Sequence, residues 1–275
     1  MQTRFYTPHL LLQEFINCVM VIHAEVDPKA PPVLCSYPPT PQNSLFFYIN
    51  DPIKMRKEAG SGFLVQPRNV IVGPQLNCVT LDINKSHKAV RVGFHPGGLY
   101  RLLGISMAEM IDKSYDAADI FGNELREVNE KLQEAAGFDE INEVIEKFLL
   151  QKVSVLKRLL PFDAAMLELL RYNGNISIEQ IASLACVSLR QFERVSKERI
   201  GMPPKLFARL VRFSKAYRMR ENFSNLSWTS IAYECGYFDQ THFIRDFKEF
   251  AGVAPGIIEK ELNNLPVRLQ AGLRL

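Results

Sequence analysis

The sequence predicts an α+β fold in two parts. A β-rich N-terminal barrel or sandwich carries an α-hairpin, and an all-α C-terminal part holds two helix-turn-helix units joined by a long helix. Three observations predict it. Short apolar runs bounded by Gly, Pro, Asn or Asp recur along the first part of the chain. After Gly98 the apolar spacing changes to three and four residues. Finally, one pattern occurs twice, about fifty positions apart. It reads first Ile181-Ala182, Cys186-Val187-Ser188, Phe192, Arg194, Lys197, Gly201 and Pro204, then Ile231-Ala232, Gly236-Tyr237, Phe243, Arg245, Lys248, Gly252 and Pro255.

The elements follow in order. Tyr37-Pro38-Pro39-Thr40-Pro41 is a rigid, non-helical lead-in, and Leu45–Asn50 is an aromatic strand stopped by Asp51-Pro52. Gly62–Val65, Asn69–Gly73, Cys78–Ile83 and Ala89–Phe94 come next as strands of a small sandwich or barrel, whose interior can hold a small ligand. Beyond His95-Pro96-Gly97-Gly98, the residues Leu99, Leu102, Leu103 and Met107 predict a short helix. Leu125, Val128 and Leu132, then Ile141, Val144, Ile145, Phe148 and Leu149 past a break at Gly137, predict an α-hairpin with one apolar stripe per helix. Asp139 is read as the N-cap of its second helix. The stripe either packs on its own sheet or forms a homodimer seam through residues 124–151.

In the C-terminal part, Asp163–Tyr172 stops at Asn173-Gly174, a left-handed helix end. Ser177 caps Ile178–Ala185, and Ser188 caps Leu189–Ile200, which Gly201 closes. Pro204 opens a long helix through about Asn222. Ser227 caps Trp228–Cys235, Gly236 turns the chain, and Asp239 begins a helix ending near Phe250. Two short helices joined by a turn of about three to four residues have helix-turn-helix dimensions. The expected division is a β-rich domain with its hairpin over 1–151, a linker over 152–161, a double helix-turn-helix domain over 162–262 and a tail over 263–275.

Composition narrows the function. With 275 residues, 47% hydrophobic and 23% charged, the chain suits two folded domains rather than disorder. No run reaches the ~18 apolar residues that cross a bilayer. Glu14 and Asn17 interrupt the stretch Leu10–Ile22, so neither a secretory signal nor a membrane partner is expected. The 5 cysteines are scattered without a C-x-x-C pair, which fits a reducing cytoplasm and argues against a disulfide framework or structural zinc. No Ser, Cys or His set has nucleophile–base spacing, so neither an enzyme nor a cofactor is expected. Residues 1–151 carry 14 Lys and Arg against 18 Asp and Glu, whereas 152–275 carry 19 against 12. Only the C-terminal part is therefore suited to face a polyanion.

The two repeated helices offer faces for that polyanion. After Ser188, the residues Leu189, Phe192 and Val195 are expected to point to a core, with Arg190, Glu193, Arg194 and Lys197 opposite them at i, i+3, i+4 and i+7. An arginine fork can reach O6 and N7 of guanine in the major groove, which admits a helix. In the second copy Phe243 and Phe247 turn inward, leaving Gln240, Thr241, Ile244 and Arg245 outward, with Lys248 repeating the position of Lys197. Gln240 suits adenine, Thr241 and Ile244 a thymine methyl, and Arg245 guanine or a phosphate. Arg209, Arg212, Lys215, Arg218 and Arg220 on the long helix serve either phosphates or solubility. Trp228 is expected in the core, His242 as a packing residue or phosphate donor, His95 as a strand-end hydrogen-bonding residue, and Gly97-Gly98 as a turn. A non-specific architectural binder or protein-docking module would keep these helices without sequence readout.

The run Ile231-Ala232-x-x-Cys235-Gly236-Tyr237-x-Asp239-Gln240-x-x-Phe243-x-Arg245-x-Phe247-Lys248-x-x-x-Gly252-Val253-x-Pro255, inside Ile176–Ile258, resembles the DNA-binding domain of the AraC/XylS transcription regulators. The resemblance implies a cytoplasmic, sequence-specific regulator that inserts two helices into successive major-groove segments of double-stranded DNA. Arg190 and Arg194, then Gln240, Thr241 and Arg245, match the family's base-reading positions. Cys186 stands where a turn glycine is common, and Ser196 where an aromatic core residue is common. The resemblance also implies a cupin-like effector or dimerisation domain over residues 1–120, with a small-molecule effector and RNA polymerase as further partners. Val92–Gly104 is similar to a recurrent segment of sensor domains in such regulators. A metal cupin would need histidines in H-x-H spacing, and none of His9, His23, His87 and His95 has one two residues away, so no metal is expected.

Overall fold

A computed structural model describes residues 2–25, 29, 32–58, 60–83, 86–264 and 268–273. Two antiparallel sheets face each other. The six-stranded sheet runs in the order β1 (Gln2–Tyr6), β2 (Ile16–Glu25), β9 (Ser86–Phe94), β4 (Ser44–Tyr48), β7 (Asn69–Val72), β10 (Ser114–Asp116). The four-stranded sheet runs β3 (Val33–Tyr37), β8 (Val79–Ile83), β5 (Lys54–Arg56), β6 (Leu64–Val65). The sandwich alternative of the sequence reading is thus the one adopted. Of the predicted strand Gly62–Val65, only Leu64–Val65 pairs.

Side-chain alternation along β9 sets the layers. Val90, Val92 and Phe94 share one core with Val19, Val21, Leu45 and Phe47 on one side of the sheet. The helices α3 (Glu124–Glu134) and α4 (Phe138–Leu150) complete that core through Leu125, Val128, Leu132, Ile141, Ile145 and Phe148. Phe148 stands edge-on to Phe47 at 5.9 Å. The apolar stripe of residues 124–151 is therefore packed on its own sheet, the first of the two alternatives. Asp139 is not the cap of α4: Gly137 holds that place, and the Asp139 carboxylate instead accepts from Arg4 Nη1 at 2.8 Å and Tyr6 hydroxyl at 2.9 Å. The short helix α1 (Gly98–Leu103) ends at Gly104, whose φ of 69° is left-handed, so Met107 falls in a separate 3₁₀ turn, Met107–Met110.

After a 3₁₀ turn at Val153–Val155 the chain passes into the helical part: α5 (Pro161–Arg171), α6 (Ile178–Leu184), α7 (Leu189–Arg199), α8 (Pro204–Asn222), α9 (Trp228–Glu234), α10 (Gln240–Ala251) and α11 (Pro255–Asn264). α8 is the spine, burying Phe207, Leu210, Val211, Phe213, Ala216 and Tyr217 among residues of both flanking helix pairs. Helix α11 lies past the last predicted helix, and of the predicted tail, 265–267 and 274–275 fall outside the described residues. Among the described residues no helix is long and apolar enough to cross a membrane.

The two parts meet at the turn before α1. Gly97 is left-handed at φ 78°, and a Cβ there would collide with Asp163 Oδ1. A Cβ on Gly98 would likewise collide with the Phe15 carbonyl. Gly97-Gly98 is thus a turn, as expected, and its bare backbone lets α5 approach. His95 donates its backbone N–H to Phe15 O at 2.9 Å, and its buried Nδ1 has no hydrogen-bond partner among the described residues, so the predicted bonding role is seen in its main chain. Burial lowers its pKa and keeps the ring neutral.

Candidate nucleic-acid interface

Each helix of the repeat starts on the cap predicted for it. Ser177 Oγ accepts from Gln180 N at 3.1 Å while Gln180 Oε1 accepts from Ser177 N at 3.3 Å, a reciprocal box that satisfies two orphan donors. Ser188 Oγ accepts from Gln191 N at 3.3 Å, Ser227 Oγ from Ser230 N at 3.1 Å, and Asp239 Oδ1 from His242 N at 2.8 Å. The turns match as well. Cys186 N and Val187 N donate to Ser183 O and Ala182 O at 3.0 and 3.3 Å; Gly236 N and Tyr237 N donate to Tyr233 O and Ala232 O at 2.9 and 3.0 Å. This double closure needs a left-handed residue, and Cys186 (φ 55°) takes the conformation that Gly236 (φ 76°) takes in the second copy.

The turns fix which faces of α7 and α10 look outward. On α7, Arg190, Glu193, Arg194 and Lys197 are all exposed, Arg194 lying a loose 3.9 Å from Glu198. On α10, Gln240, Thr241, Ile244, Arg245 and Lys248 are exposed, with the Gln240 amide donating to the Thr229 hydroxyl. Phe243 and Phe247 are buried as expected. His242 is exposed, its Nδ1 3.0 Å from Asp239. Trp228 is half-buried rather than fully in the core, stacking near Phe243 and Phe247 at 5.8 and 5.0 Å. The buried face of α7 differs from the expected one. Leu189 is 42% exposed, Val195 half-buried, and the face is completed by Ser196 and Arg199. Ser196, standing in an aromatic position, donates to Met202 O at 2.7 Å. Arg199 forks onto Asp163, Nε to Oδ1 at 2.9 Å and Nη2 to Oδ2 at 2.7 Å.

Arg209, Arg212, Lys215, Arg218 and Arg220 each hold a protein partner and so are more than solubilising charges, while Lys205 of the same helix is exposed. Arg209 pairs with Asp246 at 2.8 Å and with Glu249. Arg212 donates to Gly174 O at 2.6 Å, and Lys215 to Glu234 O at 3.0 Å. Arg218 donates to Leu273 O at 2.8 Å, and Arg220 to Leu226 O at 2.7 Å and to Glu259. These ties hold α8 to the elements on either side of it. Two aromatic residues beside the second unit escaped the sequence reading: Tyr233 is 84% and Phe238 94% exposed. Apolar type alone hid them, because periodicity assigns aromatics to cores.

Comparison with known proteins agrees with this geometry. Residues 164–260 match the family model of a helix-turn-helix domain, and residues 4–116 match a domain of unknown function, DUF6597. The chain is 36% identical over 87 residues to an uncharacterized HTH-type transcriptional regulator of Haemophilus influenzae, covering 31% of this chain and 28% of that one. It is 31% identical over 105 residues to the HTH-type transcriptional activator RhaS of Klebsiella pneumoniae, covering 36% of this chain and 37% of the other. The alignments span about a third of those curated relatives. The wild-type ToxT structure from Vibrio cholerae with a bound unsaturated fatty acid is similar at TM-score 0.46 and 14% identity, over 92% of this chain and 96% of that one. The chain thus carries an AraC-family helix-turn-helix domain over residues 164–260, behind an N-terminal DUF6597 domain over residues 4–116.

Proposed function

We propose that the protein is a cytoplasmic regulator that reads two successive major-groove segments of promoter DNA, α7 in one and α10 in the next. The observation that carries this is the pair of matching turns and caps, each followed by a helix with a locked inner face and an outward polar row. Arg190 and Arg194 are assigned to guanine edges, Gln240 to adenine, Thr241 and Ile244 to thymine methyls, and Arg245 to guanine or phosphate. Glu193 is assigned to a cytosine amino group, Lys197 and Lys248 to phosphates. α8, with Arg209, Arg212, Lys215, Arg218 and Arg220 tied to internal partners, is the rigid spacer. Residues 162–262 form the DNA-binding domain, 152–161 the joint, and 1–151 the effector domain, through which a small molecule changes DNA affinity or recruitment of RNA polymerase.

The test begins with selection of binding sites from random duplexes. Arg194→Ala and Arg245→Ala should each weaken the selected site by about 1–3 kcal/mol and relax base preference locally. Unchanged affinity and preference in both variants would mean that the reading face lies elsewhere. Equal affinity of the unaltered protein for selected and random duplexes at physiological salt would leave only non-specific binding, since specific sites are held ~10³-fold or more tighter.

A further inference from the structure

We infer that the space between the two sheets is a binding site for a small organic monoanion, an apolar body bearing a carboxylate, whose charge is taken by Arg91. The inference deepens the effector reading of residues 1–151 and rests on it. Between the sheets lies a cavity of about 120 Å³, far above the ~10–15 Å³ that one water needs. Met20, Phe46 and Val72 wall it from one sheet; Met55, Val79 and Leu81 wall it from the other. Arg91 enters from the centre of β9, where it stands in register with Met20 on β2 and Phe46 on β4.

Arg91 is 1% exposed, and none of Nε, Nη1 and Nη2 has a hydrogen-bond partner among the described residues. The Phe46 ring lies 6.0 Å from the guanidinium carbon, and Tyr37, also on the cavity wall, is close enough to feel its charge. No Asp or Glu is among the described residues that line the cavity. A buried guanidinium cannot shed its proton, so an unpaired one is a standing electrostatic deficit. A carboxylate supplies the planar, two-oxygen partner that the fork accepts side by side. The walls choose the rest of the ligand. They are mainly apolar, and the one imidazole among them, His87, is kept neutral with its pKa lowered to about 4, by burial first and His23 second. One cation in an apolar chamber matches one negative charge on an apolar body, and a multiply charged phosphate would leave charge uncompensated.

The cavity also reaches the DNA-binding part. Leu269 and Leu273 line it from the C-terminal tail. Gln270 anchors that tail, its Nε2 donating to Pro38 O at 2.7 Å and its backbone N–H to Glu221 Oε2 at 2.9 Å. Arg218 and Asn222 of α8 donate to Leu273 O and Ala271 O at 2.8 and 2.9 Å. An occupant that presses on Leu269 and Leu273 therefore acts on the last turns of the helix that spaces the two recognition units.

The test uses the full-length protein and calorimetric titration with benzoate, phenylacetate and octanoate. Their neutral amides and inorganic phosphate serve as controls. At least one acid should bind saturably at tenfold or more the affinity of its amide, and Arg91→Met should abolish that preference. Arg91→Met should also melt no lower than the unaltered protein in the absence of acid, because it removes an unpaired charge. Three outcomes overturn the inference: none of the acids binds, Arg91→Met binds acid undiminished, or phosphate binds as well as the acids. A lower melting point of ligand-free Arg91→Met would make Arg91 a structural residue and overturn it too. The readout needs no DNA, so these failures leave the DNA-binding reading intact. Acid binding at Arg91 with no change in affinity for a selected duplex would instead remove the effector reading and keep the site.

Discussion

Truncating Arg199 to Ala should cost about 3–5 kcal/mol of stability, because it leaves the carboxylate of Asp163 buried without its cation. Both side chains are 5% exposed, and the fork makes two bonds, at 2.9 and 2.7 Å. Asp163 keeps the Leu160 N–H, at 2.8 Å, and the weaker pull of the Arg101 charge once the fork is gone. Arg199 itself gives up the Arg158 carbonyl at 3.3 Å and the face of Tyr100, whose centroid lies 4.6 Å from its guanidinium carbon. Burial already pushes the Asp163 pKa up, against the opposing pull of the Leu160 N–H and Arg199. The intact pair is thus close to break-even against desolvation, and the cost lies in breaking it singly. Asp163→Asn with Arg199→Met, which removes both charges, should lose far less than the single truncation. The sign with pH follows. Without Arg199 the folded-state pKa of Asp163 rises further above its unfolded value. The stability tied to that proton is complete below the unfolded pKa and lost as pH rises through the folded one. The deficit of Arg199→Ala should therefore shrink as pH falls from 7 towards 5. Urea unfolding of the three proteins at both pH values reads all of this. A single-variant cost under ~1 kcal/mol, flat with pH, would show that the pair is hydrated and does not rivet α5 to α7.

Two further outcomes follow from strained or buried groups. Cys186→Gly should stabilise the first unit by about 0.5–1 kcal/mol. Relief of a left-handed non-glycine residue is worth ~1–2 kcal/mol, and the added freedom of the unfolded chain returns ~0.4–1 kcal/mol; a lower melting temperature in thermal unfolding would refute it. Burial pushes the pKa of Glu221 up to about 7, against the pull of the Gln270 N–H, Arg268, the Ala271 N–H and Arg218. The folding stability tied to Glu221 should accordingly be complete below the usual carboxylate pKa and be lost as pH rises through about 7. Glu221→Gln should flatten that profile. Urea unfolding across this pH range measures it, and identical pH profiles of the two proteins would contradict the assignment.

How much was legible in the sequence depended on how far away the deciding partner lay. Ser177, Ser188, Ser227 and Asp239 bond within their own first turn, and Gly236 and Asn173-Gly174 close their own helices, so all were readable from spacing. β2 was missed because Ile16–Glu25 shows little alternation: the sheet's helix-covered core buries Val19 and Val21, while Met20 and Ile22 line the cavity. The ties of the α8 cations were hidden because their partners, Gly174, Glu234, Asp246 and Glu259, sit far along the chain. On α7 the outward row was exposed as expected and the inward row held at Phe192 and Val195, but Leu189 is 42% exposed and the buried face is completed by Ser196 and Arg199, polar residues that Met202 and Asp163 make fit for burial.

Arg199 and Arg91 make the same point from opposite sides. Each is a charge that spacing alone assigns to water, on a helix face in one case and in the alternation Ala89-Val90-Arg91-Val92 in the other. Remote elements enclose both: α5 brings a carboxylate to Arg199, whereas the second sheet brings Arg91 mainly apolar walls, the neutral phenol of Tyr37 and empty volume. A fold that needed Arg91 for stability alone would have gained by pairing it as Arg199 is paired, or by replacing it with an aliphatic residue. Its unpaired state is costly to the protein without ligand and useful only if a partner arrives from outside. That asymmetry between two buried arginines of one chain is the physical ground for treating the first as architecture and the second as a receptor for an anion.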